Sequence, residues 1–579
     1  MPLKMKRDQL TSLTQTHTSA FSVSHSIHSD LHQQPTFTDT DRPEDSRSER
    51  YIAIVIFLLS FLYLCIFRRY SWVDPDEGII LQGAQRILDG QVLYRDFFSF
   101  FTPGSYYFFA LIFRVFGDNY LVAHTALALL GAIFSPFTYL LARRVCSRQG
   151  CLLVTGLMTV TAVPCRFIVI HNWDSTFLAC AALYCAVRFM ESPAAAWAFA
   201  ASTFTSLTML FEQSKGAGLL IGLCAGFLII TFIGKDSRLL TRRQLSAIAL
   251  GMCWPFLVTA IYFASQKALT MMLGSWFWPL QHYSIANRVP YAYDNLTGEA
   301  RDRIFDSASL GIRLFAMLIF SSRTWIPFVP IFGVGLLFRL TIPRARRISI
   351  GPEWKYYVLV SAAIAGLLLS IVVARADYLH FIFLQPIFFL VVAWLLDGRS
   401  IRHPLFKKIA PLVGLFLSMS LLARAAQSLL TTRGDYTVFT RRGAITMDKP
   451  DSVIEYVQAH VASKESILIY PYQPTYYYLT QTVNPTQFDF YQPGMHTEQQ
   501  GQEMEAEFSA HPTRAVLYEP TFTDHLRDAW PNTPQTAIAR DALAGYIQRE
   551  YHRCAMLNSE IQFLMRKDLA CPNGEGTPQ

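Results

Sequence analysis

The feature that most constrains this chain is its succession of apolar blocks, each about 20 residues long, beginning with IAIVIFLLSFLYLCIF at Ile52–Phe67. Each block has the length needed to cross the hydrocarbon core of a bilayer as a helix. About eleven are read, at 51–68, 119–142, 150–169, 174–191, 194–212, 216–234, 245–264, 323–341, 356–374, 378–396 and 405–424. Only 16% of the residues are charged and 52% are hydrophobic, whereas soluble domains carry about 25% charge. The expected fold is mainly α. It is a polytopic membrane helix bundle of about 11 spans with a large first outer loop of amphipathic helices, plus a small C-terminal α/β domain.

Three parts follow from composition. Residues 1–50 are rich in Ser, Thr, His and Gln. They lack the apolar content to offset ordering entropy and are expected to form a disordered cytoplasmic tail. Residues 51–430 form the membrane domain. From about Thr431 the pattern changes again, and 431–579 reads as a soluble, extracytoplasmic α/β domain. Asp451–Ala462 has helical apolar spacing, Ser466–Tyr470 and Arg514–Tyr518 read as strands, and Ala542–Tyr551 as a helix. Two apolar segments, Pro103–Gly117 and Ser307–Phe320, leave the span count open.

With the N-terminus in the cytoplasm, the inner loops collect Arg143, Arg144, Arg148, Arg188, Lys235, Arg238, Arg242, Arg243, Arg339, Arg344, Arg346, Arg347, Lys355, Arg399, Arg402, Lys407 and Lys408. This is the positive-inside pattern, with Arg68 and Arg69 a local exception. The net charge of +8 is thereby explained by topology, and no nucleic-acid partner is expected. The same orientation brings VDPDEG, RDFF, FIVIHNWDS, FEQSKG and VARADYLHF to the outer face. Ionisable groups at span ends are expensive, so their common depth points to a functional site.

The first outer stretch, Trp72–Phe98, is the most informative. EGIILQGAQRILDG suits an amphipathic helix on the membrane surface, stopped at Gly90. Acids at its start favour the helix dipole, but Asp74, Asp76, Glu77 and then Asp96 exceed what capping requires. The aromatic stretch Gly274–Asn295 would lie outside; the interfacial belt is the preferred reading, with sugar stacking the other. Eight cysteines lie in or beside spans, while Cys554 and Cys571 in the tail domain either pair or stay free. No phosphate loop, CxxC pair or HExxH motif is present.

The acids after the first span, followed by a helix, Gly-x-x-x-Tyr-Arg-Asp and Pro-Gly-x-Tyr-Tyr, resemble the GT-C superfamily of integral membrane glycosyltransferases. The resemblance is to the bacterial branch related to the protein mannosyltransferases and the lipid A aminoarabinose transferase. HNWDSTFLACAALY, SKGAG, RADYLHFIFLQP and PTYYYLTQTVNPTQFDFYQPG are similar to further motifs of that branch.

The resemblance implies an inverting transfer of a sugar from a polyprenyl-phosphate donor to an acceptor hydroxyl on a cell-envelope lipid, glycan or protein. It also implies a multi-pass protein of the bacterial inner membrane, with the site and tail domain on the periplasmic face. Asp76 is then the first candidate for general base and Asp74 the second. Glu77 and Asp96 would orient the base, hold the acceptor or bind a divalent cation such as Mg²⁺ or Mn²⁺, with Asp76, Glu77 and Asp96 as candidate ligands. Lys215 would face the donor phosphate. Arg95, Arg166 and Arg375 compete for that role. Asp174 and Asp377 would position these cations, and His380 would hydrogen-bond sugar or phosphate. The competing reading is a transporter or flippase of lipid-linked or anionic substrates, which would place its ionisable groups near the bilayer midplane.

Overall fold

The structure is a computed structural model that describes residues 47–234, 240–282, 286–294, 309–342, 353–397 and 404–572. Residues 1–46, the inner-loop basic residues at 235–239, 343–352 and 398–403, and the end of the aromatic stretch at Asn295 lie outside the described residues.

The first helices are α1 (Arg47–Leu64), α2 (Pro75–Leu88), α3 (Gly104–Phe116), α4 (Tyr120–Ala142), α5 (Arg148–Thr161) and α6 (His171–Glu191). They are followed by α7 (Ala195–Phe211), α8 (Gln213–Gly234), α9 (Arg242–Ser265) and α10 (Leu269–Gln281). The membrane part closes with α11 (Leu310–Trp325), α12 (Val329–Thr341), α13 (Trp354–Ala374), α14 (Tyr378–Phe383), α15 (Gln385–Asp397) and α16 (Pro404–Thr431).

Seven described helical segments are long and apolar enough to cross a membrane: Arg47–Phe67, Tyr120–Ala142, Gln213–Gly234, Arg242–Ser265, Leu310–Thr341, Trp354–Ala374 and Lys408–Thr431. Gly104–Phe116, Ala195–Phe211 and Gln385–Asp397 are shorter apolar helices. The chain is a multi-pass membrane protein. Individual boundaries differ from the expected ones. The block at 150–169 stops being an α-helix at Thr161, where the Val163–Arg166 turn with Pro164 redirects the chain. The Ser307–Phe320 segment is largely the beginning of the Leu310–Thr341 span rather than a separate element.

Helix packing follows membrane rules. On α1, Ile54, Val55, Leu58, Leu59 and Leu62 are exposed, as lipid-facing residues should be. Where α8 crosses α13, a Cβ at Gly218, Gly222 or Gly366 would collide with the facing backbone. Small residues let such helices approach closely where burial from water cannot drive association.

At one end of the bundle, α2 and the loops around it meet the C-terminal part. A hairpin of β1 (Tyr436–Thr440) and β2 (Gly443–Met447) comes first. The loop after α1 pairs with it: Ser71 N donates to Thr446 O at 3.0 Å, and Thr446 N to Arg69 O at 2.7 Å. A four-stranded sheet follows, made of β3 (Leu468–Tyr470), β4 (Ala515–Tyr518), β5 (Tyr551–Met556) and β6 (Gln562–Arg566), in the order β3-β4-β6-β5. Only β3 and β4 run parallel. Helices α17 (Ser452–His460), α18 (Thr475–Thr480), α19 (Glu498–Ala510), α20 (Phe522–Ala529), α21 (Gln535–Ala539) and α22 (Ala542–Glu550) surround it. Cys554 and Cys571, left open by the sequence, are joined as a disulfide. Gly78 of α2 sits directly against Pro474 and Thr475, so any side chain there would push α18 away.

Candidate active site

The acids of the first outer stretch are sorted by the start of α2. Asp74 is its N-cap: Oδ1 accepts from Asp76 N at 3.0 Å, with Pro75 as the first helical residue. Its Oδ2 accepts from Trp72 Nε1 at 2.8 Å and pairs with Arg166 Nη1 at 2.7 Å. Burial pushes the Asp74 carboxyl up to about 6, against the pull of Arg166 and with the help of neighbouring Asp76. Asp76 stands one helical step further on. Its Oδ2 receives Arg166 Nη2 at 3.2 Å and its Oδ1 receives the Tyr472 hydroxyl at 2.8 Å. Arg166 therefore bridges both acids.

Asp76 lines a cavity of about 240 Å³ between the membrane bundle and the C-terminal part. Its side chain is 37% exposed. Glu77, the next residue, is 1% exposed and points the other way. Its Oε1 meets His124 Nε2 at 2.6 Å and Val169 N at 2.8 Å, and its Oε2 accepts from Tyr120 at 3.1 Å. Glu77 thus pins α2 to α4 and to the turn before α6. Asp96 does not line the cavity. It accepts from Val92 N at 2.7 Å and forms a fork with its neighbour Arg95, which holds its carboxyl low.

The far side of the cavity is built by the loop after α13. Asp377 caps α14 by accepting from His380 N at 3.1 Å and also meets His380 Nδ1 at 2.6 Å. Its other oxygen takes Arg375 Nε. Burial opposes ionisation, but His380 and Arg375 outweigh it and hold Asp377 well below the usual carboxylate range. Arg375 also donates to Asn287 Oδ1 at 3.1 Å and Ala529 O at 2.5 Å, with Trp530 5.4 Å from its guanidinium. Arg375, Asp377 and His380 line the same cavity as Asp76, Arg166 and His171. The C-terminal part contributes Tyr472, Phe490, Met495 and Trp530.

Lys215 and Asp174 lie elsewhere. Lys215 is 3% exposed and donates to Glu212 Oε2, Asn172 O and Ser175 Oγ, each at 2.8 Å. Asp174 is buried and accepts from Ser105 at 2.6 Å. Neither lines the cavity, although Asn172, which Lys215 holds by its carbonyl, does. Arg95 is likewise outside it.

The candidate cation ligands Asp76, Glu77 and Asp96 do not converge. Among the described residues the one group of three His, Cys, Asp or Glu side chains close enough to share an ion is His552, Cys554 and Cys571, two of which are the disulfide. No step of the chemistry is therefore routed through a metal.

Tyr472 and Trp530 carry no local sequence signal, because each reaches the cavity from a distant segment, whereas Asn287 lies within the aromatic stretch Gly274–Asn295. Glu212 was legible in FEQSKG as a carboxylate three residues before Lys215, the spacing that places two helical side chains side by side.

This arrangement of membrane helices, surface helix α2 and a small α/β part over a polar cavity is found among solved structures. The solved structure of ArnT from Cupriavidus metallidurans bound to undecaprenyl phosphate shares it with a TM-score of 0.52, over 92% of this chain and 99% of that one, at 12% sequence identity. No protein-family model and no curated protein matches the chain.

Proposed function

We propose that the protein transfers a sugar from a polyprenyl-phosphate donor to an acceptor hydroxyl at the outer face of a bacterial inner membrane. The observation that carries this reading is the accessible carboxylate of Asp76 in a cavity whose opposite wall presents Arg375 and His380. The shared fold, with a neighbour that bound undecaprenyl phosphate, supports a lipid-linked donor.

In the proposed reaction the acceptor oxygen attacks the anomeric carbon from the face opposite the phosphate. The new carbon–oxygen bond forms as the old one to the phosphate oxygen breaks. The polyprenyl phosphate leaves with that electron pair, and the hydroxyl proton passes to Asp76. A single displacement of this kind inverts the anomeric centre. Arg166 and Tyr472 hold the carboxylate of Asp76 in place, and Asp74 holds Arg166. Arg375 and His380 offset charge growing on the leaving phosphate, and Asp377 fixes both. Lys215 with Glu212 supports Asn172, and Asp174 ties α6 to Ser105 of α3. Glu77 positions α2.

The test is sugar transfer from a panel of synthetic polyprenyl-phosphate sugars, in membranes carrying wild-type protein or Asp76→Asn, with and without chelator. Wild-type protein should consume one donor and the variant should not. Equal consumption by both would remove Asp76 as the base. Translocation of an intact lipid-linked sugar with no transfer would instead establish a flippase.

A further inference from the structure

A second cavity, of about 290 Å³, lies at the other end of α2. The C-terminal half of the helix presents Gln82, Gln85 and Arg86 to it. The segment following α18 contributes Gln481, Thr482 and Asn484. Asp76 and Gln85 are nine residues apart, which at the α-helical rise is about 14 Å. The cavity is therefore separate from the one described above but rigidly coupled to it through one helix.

Its chemistry differs from that of the first cavity. Gln82 is 4% exposed, yet its side-chain oxygen has no hydrogen-bond partner among the described residues. The side-chain oxygen of Gln85 is also buried without one. A buried polar atom of this kind costs free energy unless something satisfies it. The charges, by contrast, are balanced. Arg86 pairs with Asp489 at 2.7 Å and donates to Gln91 at 2.6 Å, and Arg442 pairs with Asp118. Lys464 and Asp89 add one charge of each sign. A phosphate site would carry an excess of cations. Asn484, Gln481 and Gln91 are engaged by Asp489, Ser463 and Arg86, so the paired ions leave the Gln82 amide and the Gln85 side-chain oxygen as the available groups, and an amide offers a donor and an acceptor side by side. That matches hydroxyl groups, which both give and accept. Leu88, Val483 and the Tyr477 ring add apolar surface for C–H faces.

We propose that this cavity is a binding site for the neutral saccharide part of the acceptor, an inference that rests on the transferase reading above. Contacts made here, away from the reacting hydroxyl, would anchor the acceptor while its hydroxyl is presented at Asp76. Binding energy from a remote part of a substrate serves catalysis in this way.

The test uses full-length protein in nanodiscs and a panel of uncharged oligosaccharides built from hexose and N-acetylhexosamine units, with binding read by saturation-transfer NMR. At least one should bind. Gln82→Leu should weaken it about tenfold, the scale of one unsatisfied buried partner, and Asp76→Asn should leave it within about twofold. Gln85→Leu, at a less buried position, serves if Gln82→Leu does not fold. Absence of binding across the panel overturns the proposal. So does displacement by inorganic phosphate, which would make the cavity an anion site, or loss of binding in Asp76→Asn, which would put the sugar in the first cavity. Donor consumption is measured on the same preparation. Consumption without saccharide binding sinks this site alone, whereas saccharide binding without consumption sinks the transferase reading.

Discussion

The two walls of the first cavity are built from different materials. The membrane side carries the ionisable groups: Asp76, Arg166, Arg375, Asp377 and His380. The C-terminal side is mostly aromatic and apolar: Tyr472, Phe490, Met495 and Trp530. The membrane wall is also cross-braced, with Asp74 behind Arg166 and Asp377 behind Arg375 and His380. The other wall touches the charges at few points, the Tyr472 hydroxyl on Asp76, and the Ala529 carbonyl and Trp530 ring at Arg375. In the proposed reaction bond-making falls to the membrane side. The C-terminal side encloses the charges and excludes water, which strengthens every electrostatic interaction inside.

Changes on the charged wall should therefore hit turnover, and changes on the aromatic wall should hit binding. The largest expected effect is Asp76→Asn, a loss of about 10²–10⁴-fold in kcat, the usual contribution of a general base, read in a donor-consumption assay. Next comes a change that should fall on stability. Lys215→Met leaves Glu212 buried without its cation, at a cost of about 3–5 kcal/mol. Thermal unfolding should show that loss, and the double variant Lys215→Met/Glu212→Gln should recover much of it. If Lys215→Met instead keeps its stability and loses only turnover, Lys215 belongs to the donor site.

A smaller effect is expected from Trp530→Ala. It removes a ring beside Arg375 and a hydrogen bond of 2.9 Å to Asn287. Cation–π contacts contribute on the order of 1 kcal/mol, so donor KM should rise several-fold with kcat nearly unchanged. A matching fall in kcat would erase the distinction between the walls.

The smallest effect is one of pH. Asp74 has its carboxyl raised to about 6, so lowering the pH through that value protonates it and releases Arg166 from one of its two acids. Transfer should decline on that acid limb, and Asp74→Asn should lack the limb. Stability runs the other way. The folded chain keeps this proton to higher pH than the unfolded one, so the contribution of Asp74 to stability is greatest below the ordinary value of 3.8 and declines as pH rises from there to about 6.

Much of the site was legible in outline. An acidic start to α2 could be read from D-P-D-E, because Pro at the first helical position and Asp before it are local signals, but that Asp74 is the cap and Asp76 faces the cavity came from the structure. RADYLHF announced a cation, an acid and a histidine within one turn. Glu77 and Asp96 show where that reading stops. Both are acids at plausible spacing, but the side on which each side chain emerges depends on what α2 packs against. Glu77 faces His124 and Tyr120 of α4, and Asp96 folds back on Val92 and Arg95. Lys215 was read as facing the donor phosphate, whereas its nitrogen is engaged by Glu212 at the start of α8.

What the sequence determined by itself was that the chain crosses a membrane several times. Runs of about 20 apolar residues leave no alternative to membrane helices, since lipid offers the backbone no other hydrogen-bond partners. The asymmetry of basic loops adds an expected orientation. The tertiary structure alone decided which ionisable groups share a cavity. Asp76 meets Tyr472 across 396 positions of chain, and Arg86 meets Asp489 across 403. Contacts that distant depend on packing between elements and leave no periodic trace in the residues near either partner.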